Sequence, residues 1–258
     1  MEEKVRLGGM ALPNGVLVHG PTSWACAVRT DDGKLKVVSE RKKVTGTRVS
    51  HPLLRGPARL ADGFAFLPRV KRALPEAQLP FERGSVLASV AMSALVVGAV
   101  RRSKLSETAK ELVGGLMSIA PAVLSFRSNE LASYHGAEHI AIGSYEHGEV
   151  RAKEHERCGS HLVGPLLATT TVGNVLAARL PLRYRQGARL GAAFGSVVAA
   201  TETFGWMQRH SETKIAKLLA WPGHELQHRF ATAEPSAAQL EVAEAALAAC
   251  LELEQSAL

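Results

Sequence analysis

The sequence predicts an α+β fold: a small N-terminal β unit over residues 1–50, a basic Pro-rich connector over residues 51–83, and a mainly helical body over residues 84–258 that is built on four apolar helices. Three observations carry this expectation. Short apolar runs broken by turn dipeptides fill the N-terminal part, four longer runs rich in Gly, Ala, Ser and Thr follow, and the C-terminal stretch repeats apolar residues at helical spacing. Hydrophobic residues make up 46% of the 258, enough for a real core.

From Val5 to about Ser39 the turn signals are Gly8-Gly9, Pro13-Asn14-Gly15, Gly20-Pro21 and Asp31-Asp32-Gly33. Trp24 to Arg29 and Lys34 to Val38 make the clearest hairpin, closed across Asp32-Gly33. His51 to Pro80 carries Pro52, Pro57, Pro68, Pro75 and Pro80, and reads as loops and short helices.

The four apolar runs are Gly84 to Val100, Leu112 to Phe126, Leu162 to Ala178 and Leu190 to Met207, the last broken by Glu202. Each is about 15 to 18 residues long, against the roughly 20 needed to cross a bilayer core. Spans, in-plane helices and the buried helices of a soluble bundle therefore all stay open, and a mean hydropathy of only +0.02 favours the bundle. Arg101, Arg102, Lys104 and Lys110 lie between the first pair, and Arg179, Arg183, Arg185 and Arg189 between the second. Four full crossings would put both basic turns outside, against the positive-inside bias. Ala237 to Ala257 is expected to be an amphipathic helix started by Pro235-Ser236, with Leu240, Ala243, Leu247 and Cys250 or Leu251 along one side.

The net charge of +7 is concentrated early: Arg29 to Arg83 holds 13 Lys/Arg against 6 Asp/Glu, whereas 16 of each cancel from Gly84 onward. Such a segment suits anionic lipid better than nucleic acid, because the chain is only 5% aromatic and has no aromatic-interleaved basic stripe. Cys26, Cys158 and Cys250 are odd in number and widely spaced, which gives no disulfide framework and suits a reducing compartment. The first residues, Met-Glu-Glu-Lys and then Val-Arg-Leu-Gly-Gly, have neither a basic leader nor an apolar run, so the N-terminal part is expected to remain in the cytoplasm.

The chemistry centres on Tyr134-His-Gly-Ala-Glu-His139. His135 and His139 are four apart, a spacing that brings both imidazoles onto one helix face within reach of one ion. His-Gly-Ala-Glu-His also matches the H-x-x-E-H order of inverted zinc peptidases, in which two His hold zinc and the Glu handles protons on the attacking water. His155-Glu-Arg-Cys158-Gly-Ser-His161 follows closely, and His155 and Cys158 are the expected third and fourth ligands, ahead of His161 and His147. Glu202, a carboxylate inside an apolar run, is a second catalytic candidate unless an Arg pairs with it. The run Trp221-Pro-Gly-His224-Glu225-Leu-Gln227-His228 reads as a capped helix start with exposed polar residues. No phosphate-cradling loop, dinucleotide fingerprint or nucleophile elbow is present, and Gly8-Gly9 and Gly15 read as turn glycines.

An ordered series extends these motifs: Gly8-Gly9 through Gly15-Val16 and Gly20-Pro21, Leu54-Arg55-Gly56, Tyr134 to His139 with Tyr145-Glu146, Arg157-Cys158-Gly159, Pro222-Gly223 with Gln227, and Thr232 with Glu234-Pro235 leading into Gln239 to Ala243. In this the chain resembles the uncharacterised bacterial YqhQ-like family (domain of unknown function 1385), described as predicted metal-dependent membrane enzymes. The resemblance implies a small β-containing part followed by membrane helices, with the His-rich segment between the helix pairs. It also implies that His135, Glu138, His139, His155 and Cys158 match the family's metal or catalytic motif, and that Glu202 matches a further acidic position. Met10, Asn14 and His19 stand where a Gln, a Glu and an Arg are expected, and Ser160-His161 where Thr-Ser is expected.

The expectation is thus a hydrolase at the cytoplasmic membrane, its motif facing the cytoplasm, using zinc or another divalent metal held by His135, His139 and His155 or Cys158, with Glu138 as general base and lipid as a partner. A rival is a non-catalytic metalloprotein or adaptor whose four protein ligands close the site. A third reading is a lipid- or nucleic-acid-binding module that uses the basic segment. The substrate and assembly into a homo-oligomer are left open.

Overall fold

The computed structural model describes residues 4–42, 49–126 and 129–256. It is α+β: one four-stranded antiparallel sheet, then a mostly helical body. Strands β1 (Gly8–Leu12), β2 (Gly15–His19), β3 (Ser23–Arg29) and β4 (Leu35–Arg41) form a meander in chain order. The Asp32-Gly33 hairpin forms as expected, with Arg29 opposite Leu35 and Gly33 at φ +77°, a conformation that glycine takes without steric cost. Gly8 and Gly9, expected at a turn, instead lie inside β1 opposite His19 and Val18. The reason is on the neighbouring helix and belongs to the site below.

Strand alternation gives the sheet two unlike faces. Ala11, Val16, Val18, Ala25 and Ala27 share one, and their small side chains let two helices pack closely on it: α5 (Asn129–His147) and α9 (Ala237–Gln255). Leu12, Leu17, Trp24 and Val28 share the other, packed on Phe66, Leu67, Val70 and Leu74 of the segment that holds α1 (Pro52–Ala65) and α2 (Leu67–Ala73). The sheet is therefore a middle layer, buried on both sides. Helix α9 starts with a reciprocal Ser236/Gln239 capping box and buries Val242, Ala243, Ala246, Leu247 and Cys250. Residue 257, the last of the predicted C-terminal helix, lies outside the described residues, as do residues 43–48 of the basic segment.

The four apolar runs become helices: α3 (Gly84–Arg102), α4 (Glu107–Ser125), α6 (Val163–Ala178) and the second half of α7 (Leu182–Arg209). Among the described residues, two rather than four are long and apolar enough to cross a membrane. These are Gly84–Arg102, with mean hydropathy 1.7 and none of its apolar window buried, and Gly159–Ala178, with mean hydropathy 1.2 and 22% buried. Helix α4 carries Glu107, Lys110 and Glu111 in its first turns, and α7 carries Arg183, Arg185 and Arg189 before its apolar part and Glu202 within it. Buried Glu111 accepts from Asn174 of α6 at 2.8 Å and from Arg189 of α7 at 3.3 Å, tying α4, α6 and α7 together. Pro222 and Gly223, read as a helix start, lie within α8 (Lys214–Leu226), which runs into a π turn at Gln227–Ala231.

Candidate metal centre

Helix α5 is buried almost all round, so the polar residues of its middle face protein rather than water. Its i, i+4 spacing sets the His135 and His139 rings beside each other, with centroids 4.3 Å apart. Each ring is pinned from behind. His135 Nδ1 lies 2.8 Å from the Ala231 carbonyl in the π turn, and His139 Nδ1 lies 2.6 Å from the Lys153 carbonyl. A carbonyl only accepts, so both Nδ1 atoms carry the proton and both Nε2 atoms keep a lone pair.

Those two lone pairs converge with a sulfur. Cys158 Sγ is 3.6 Å from His135 Nε2, and one ligand atom each of His135, His139 and Cys158 lies within 4.8 Å of the other two. Glu138 completes the group, its Oε2 3.8 Å from both Nε2 atoms. Gly9 of β1 lies directly beneath that carboxylate: a Cβ there would collide with the Glu138 side chain, which is why glycine occupies the middle of a strand. Burial pushes Glu138 up to about 8, partly offset by His135, and holds His139 well below its ordinary value. Burial also raises the Cys158 thiol, against the Ser160 amide that donates to its sulfur at 3.5 Å. Two imidazole nitrogens and a thiol, all short of water, form a donor set that a divalent cation of the zinc type would satisfy, with the Glu138 carboxyl beside it.

The structure brings together four of the six residues singled out in the sequence. His155 lies outside the converging group, although its ring is 5.5 Å from that of His139. Its Nδ1 accepts from the Arg157 amide at 3.3 Å and its Nε2 contacts Glu146 at 3.1 Å, so neither nitrogen has a lone pair to offer. Glu146 also receives Arg157 at 2.6 Å. Burial alone would raise this carboxyl, but His155 and Arg157 outweigh it and hold it below the usual range. Glu202 is likewise engaged elsewhere: Arg55 of α1 grips both its oxygens, with Nε to Oε1 at 2.6 Å, and this pair holds the carboxyl below its ordinary value. His147 caps its own helix through Gly143 O at 3.0 Å.

Gln227 is the residue whose role the sequence did not show. It is fully buried, accepts from the His155 amide at 2.8 Å, and donates to the His155 carbonyl at 3.2 Å and to Ser160 Oγ at 2.6 Å. It thereby clamps both ends of the loop that carries Cys158, while the π turn it begins supplies the carbonyl for His135. Such single π turns recur at functional sites. The only sequence signal was its place in the motif Pro222-Gly223 with Gln227.

The chain belongs to the family described as "Protein of unknown function (DUF1385)", whose model matches residues 86–253. That match spans α3 to α9 and every residue of the cluster, while the sheet with Gly9 precedes it. No curated protein and no solved structure matches the chain.

Proposed function

We propose that the chain is a membrane-associated, zinc-dependent hydrolase of acyl bonds. The observation that carries this reading is that both Nδ1 atoms are fixed by backbone carbonyls, so that both Nε2 atoms, Cys158 Sγ and the Glu138 carboxylate point into one space. His135, His139 and Cys158 would hold the ion. Bound there, zinc would act as a Lewis acid and make a water more acidic. Three protein ligands leave a position open, as catalytic sites do and closed structural sites do not. Because His155 is bonded away from the group, the four-ligand adaptor reading loses its fourth ligand.

Glu138 is placed to take a proton from water and hand it on. In hydrolysis the water oxygen bonds to the acyl carbon, the bond to the leaving nitrogen or oxygen breaks, and that atom receives the proton Glu138 took up. The burial of the group excludes bulk water, and Gly9 keeps the carboxylate close to both rings. Membrane association is supported by the two span-length apolar helices. A cytoplasmic orientation of the cluster belongs to the same proposal.

The test is the metal content of protein purified without added metal, measured by mass spectrometry. About one zinc or similar ion per chain is expected in wild type and in Glu138→Gln, and none in the His135→Ala, His139→Ala double variant. No ion in folded wild type would overturn the reading.

A further inference from the structure

We infer that the substrate of this site is an amphiphile with a single long hydrocarbon chain, which lies in a cleft between the sheet and the α3–α4 helix pair; this rests on the hydrolase reading above. The cleft has a volume of about 770 Å³ and is walled by apolar side chains such as Val90, Val97, Met117 and Phe126. His135 and Gly9 also line it, so it meets the metal cluster at the His135 ring and at the glycine on which Glu138 rests. Phe126 stacks on His135 with centroids 5.1 Å apart, continuing the apolar wall up to the ligand ring.

The long wall says what enters. Helix α3 is of span length, buries none of its apolar window and exposes Leu87, Val90, Met92 and Leu95, so its surface suits hydrocarbon, and Val90, at the mouth, lines the cleft with Ala94 and Val97. A chain can thus pass from lipid into the cleft without crossing water.

Beyond the His pair the surroundings change sign. A second pocket of about 440 Å³ is lined by Glu146, Arg151, Glu154, His155 and Arg157, and suits a solvated polar head. The ring series Phe126, His135, His139 and His155 connects the two environments, with the cluster between them. Volume favours one chain over two: at the ~30 Å³ of a water-sized group, 16 methylenes take roughly 500 Å³, and two such chains exceed the cleft.

The experiment is photolabelling of the full chain in phosphatidylcholine vesicles with a diazirine-bearing palmitic acid, followed by peptide mapping. Label is expected on Val90, Val97 and Met117. Ala94→Trp, which fills the cleft, should remove it and leave the metal content unchanged, whereas the outward Leu95→Trp should leave it. The His139→Ala, Cys158→Ala variant, whose two positions lie outside the cleft lining, should lose metal and keep the label, so failure of the metal reading is separable from failure of the cleft. Label on the outward Leu87 and Leu95 reports only the surrounding lipid, whereas label on Val97 and Met117 that survives Ala94→Trp would overturn the inference. So would equal labelling of the cleft by a two-chain phosphatidylcholine carrying the same diazirine.

Discussion

Glu138 and Gly9 divide one small space between them, and so tie a strand residue to the chemistry of a helix. Gly9→Ala puts a methyl group where the carboxylate lies. We expect it to cost about 1–3 kcal/mol in urea unfolding, as overpacking does, and to lower zinc affinity; stability and affinity equal to wild type would show that the side chain has room to move. Gln227→Ala leaves the His155 amide without its acceptor in a buried setting. The expected loss is on the order of 1–3 kcal/mol, with metal affinity reduced roughly 10–100-fold as for other groups that orient ligands. Chelator competition measures the second effect. Glu202→Gln behaves differently, because its partner is Arg55 and not the cluster. Its metal content should equal wild type, and a loss of metal would put Glu202 back in the site.

At the scale of elements, the sheet works because its two faces differ in size. Gly and Ala positions admit α5 and α9, while Leu12, Leu17 and Trp24 meet the bulkier packing around Phe66. His19 on β2 marks the edge of the second face. Its ring faces Lys42 at 3.1 Å, with Asp62 and Glu254 nearby, and burial followed by Lys42 lowers it from 6.5 to about 4. The unfolded chain therefore binds a proton that the folded one refuses, so this stability is complete above pH 6.5 and is lost as pH falls toward 4, by about 3 kcal/mol. Glu254, held low by Ser23 and Thr22 although burial opposes them, adds its own loss only further down, below the ordinary glutamate range. Unfolding midpoints of wild type and His19→Asn between pH 7 and pH 4 check this. The two curves should differ in slope within that window, and parallel curves would remove His19 as the cause.

At the scale of the whole molecule, a buried three-layer part holds the cluster while α3 and the Gly159–Ala178 helix carry apolar surface outward. Leu87, Leu95 and Val172 are each more than half exposed, which water tolerates poorly when such residues are grouped. The full chain is expected to stay with the membrane pellet through an alkaline carbonate wash, and Leu87→Lys with Leu95→Lys to weaken that retention. Release of the wild-type chain by the wash would count against insertion of these helices.

Much of this was legible in the residues alone. The N-terminal β unit, the Asp32-Gly33 hairpin, the four apolar helices and the start of α9 at Ser236 depend on neighbours within a few positions, and so does the pairing of His135 with His139, because i, i+4 is a local geometry. The family was legible too, through the order of its motifs. What tertiary structure decided is which distant groups arrive. Cys158 joins the cluster and His155 does not, since a loop clamped by Gln227 turns the two residues apart. Glu202 goes to Arg55, and Gly9 is a seat for Glu138 rather than a turn. Each of these outcomes rests on an approach between segments far apart in the chain, and composition and periodicity carry no information about such distances.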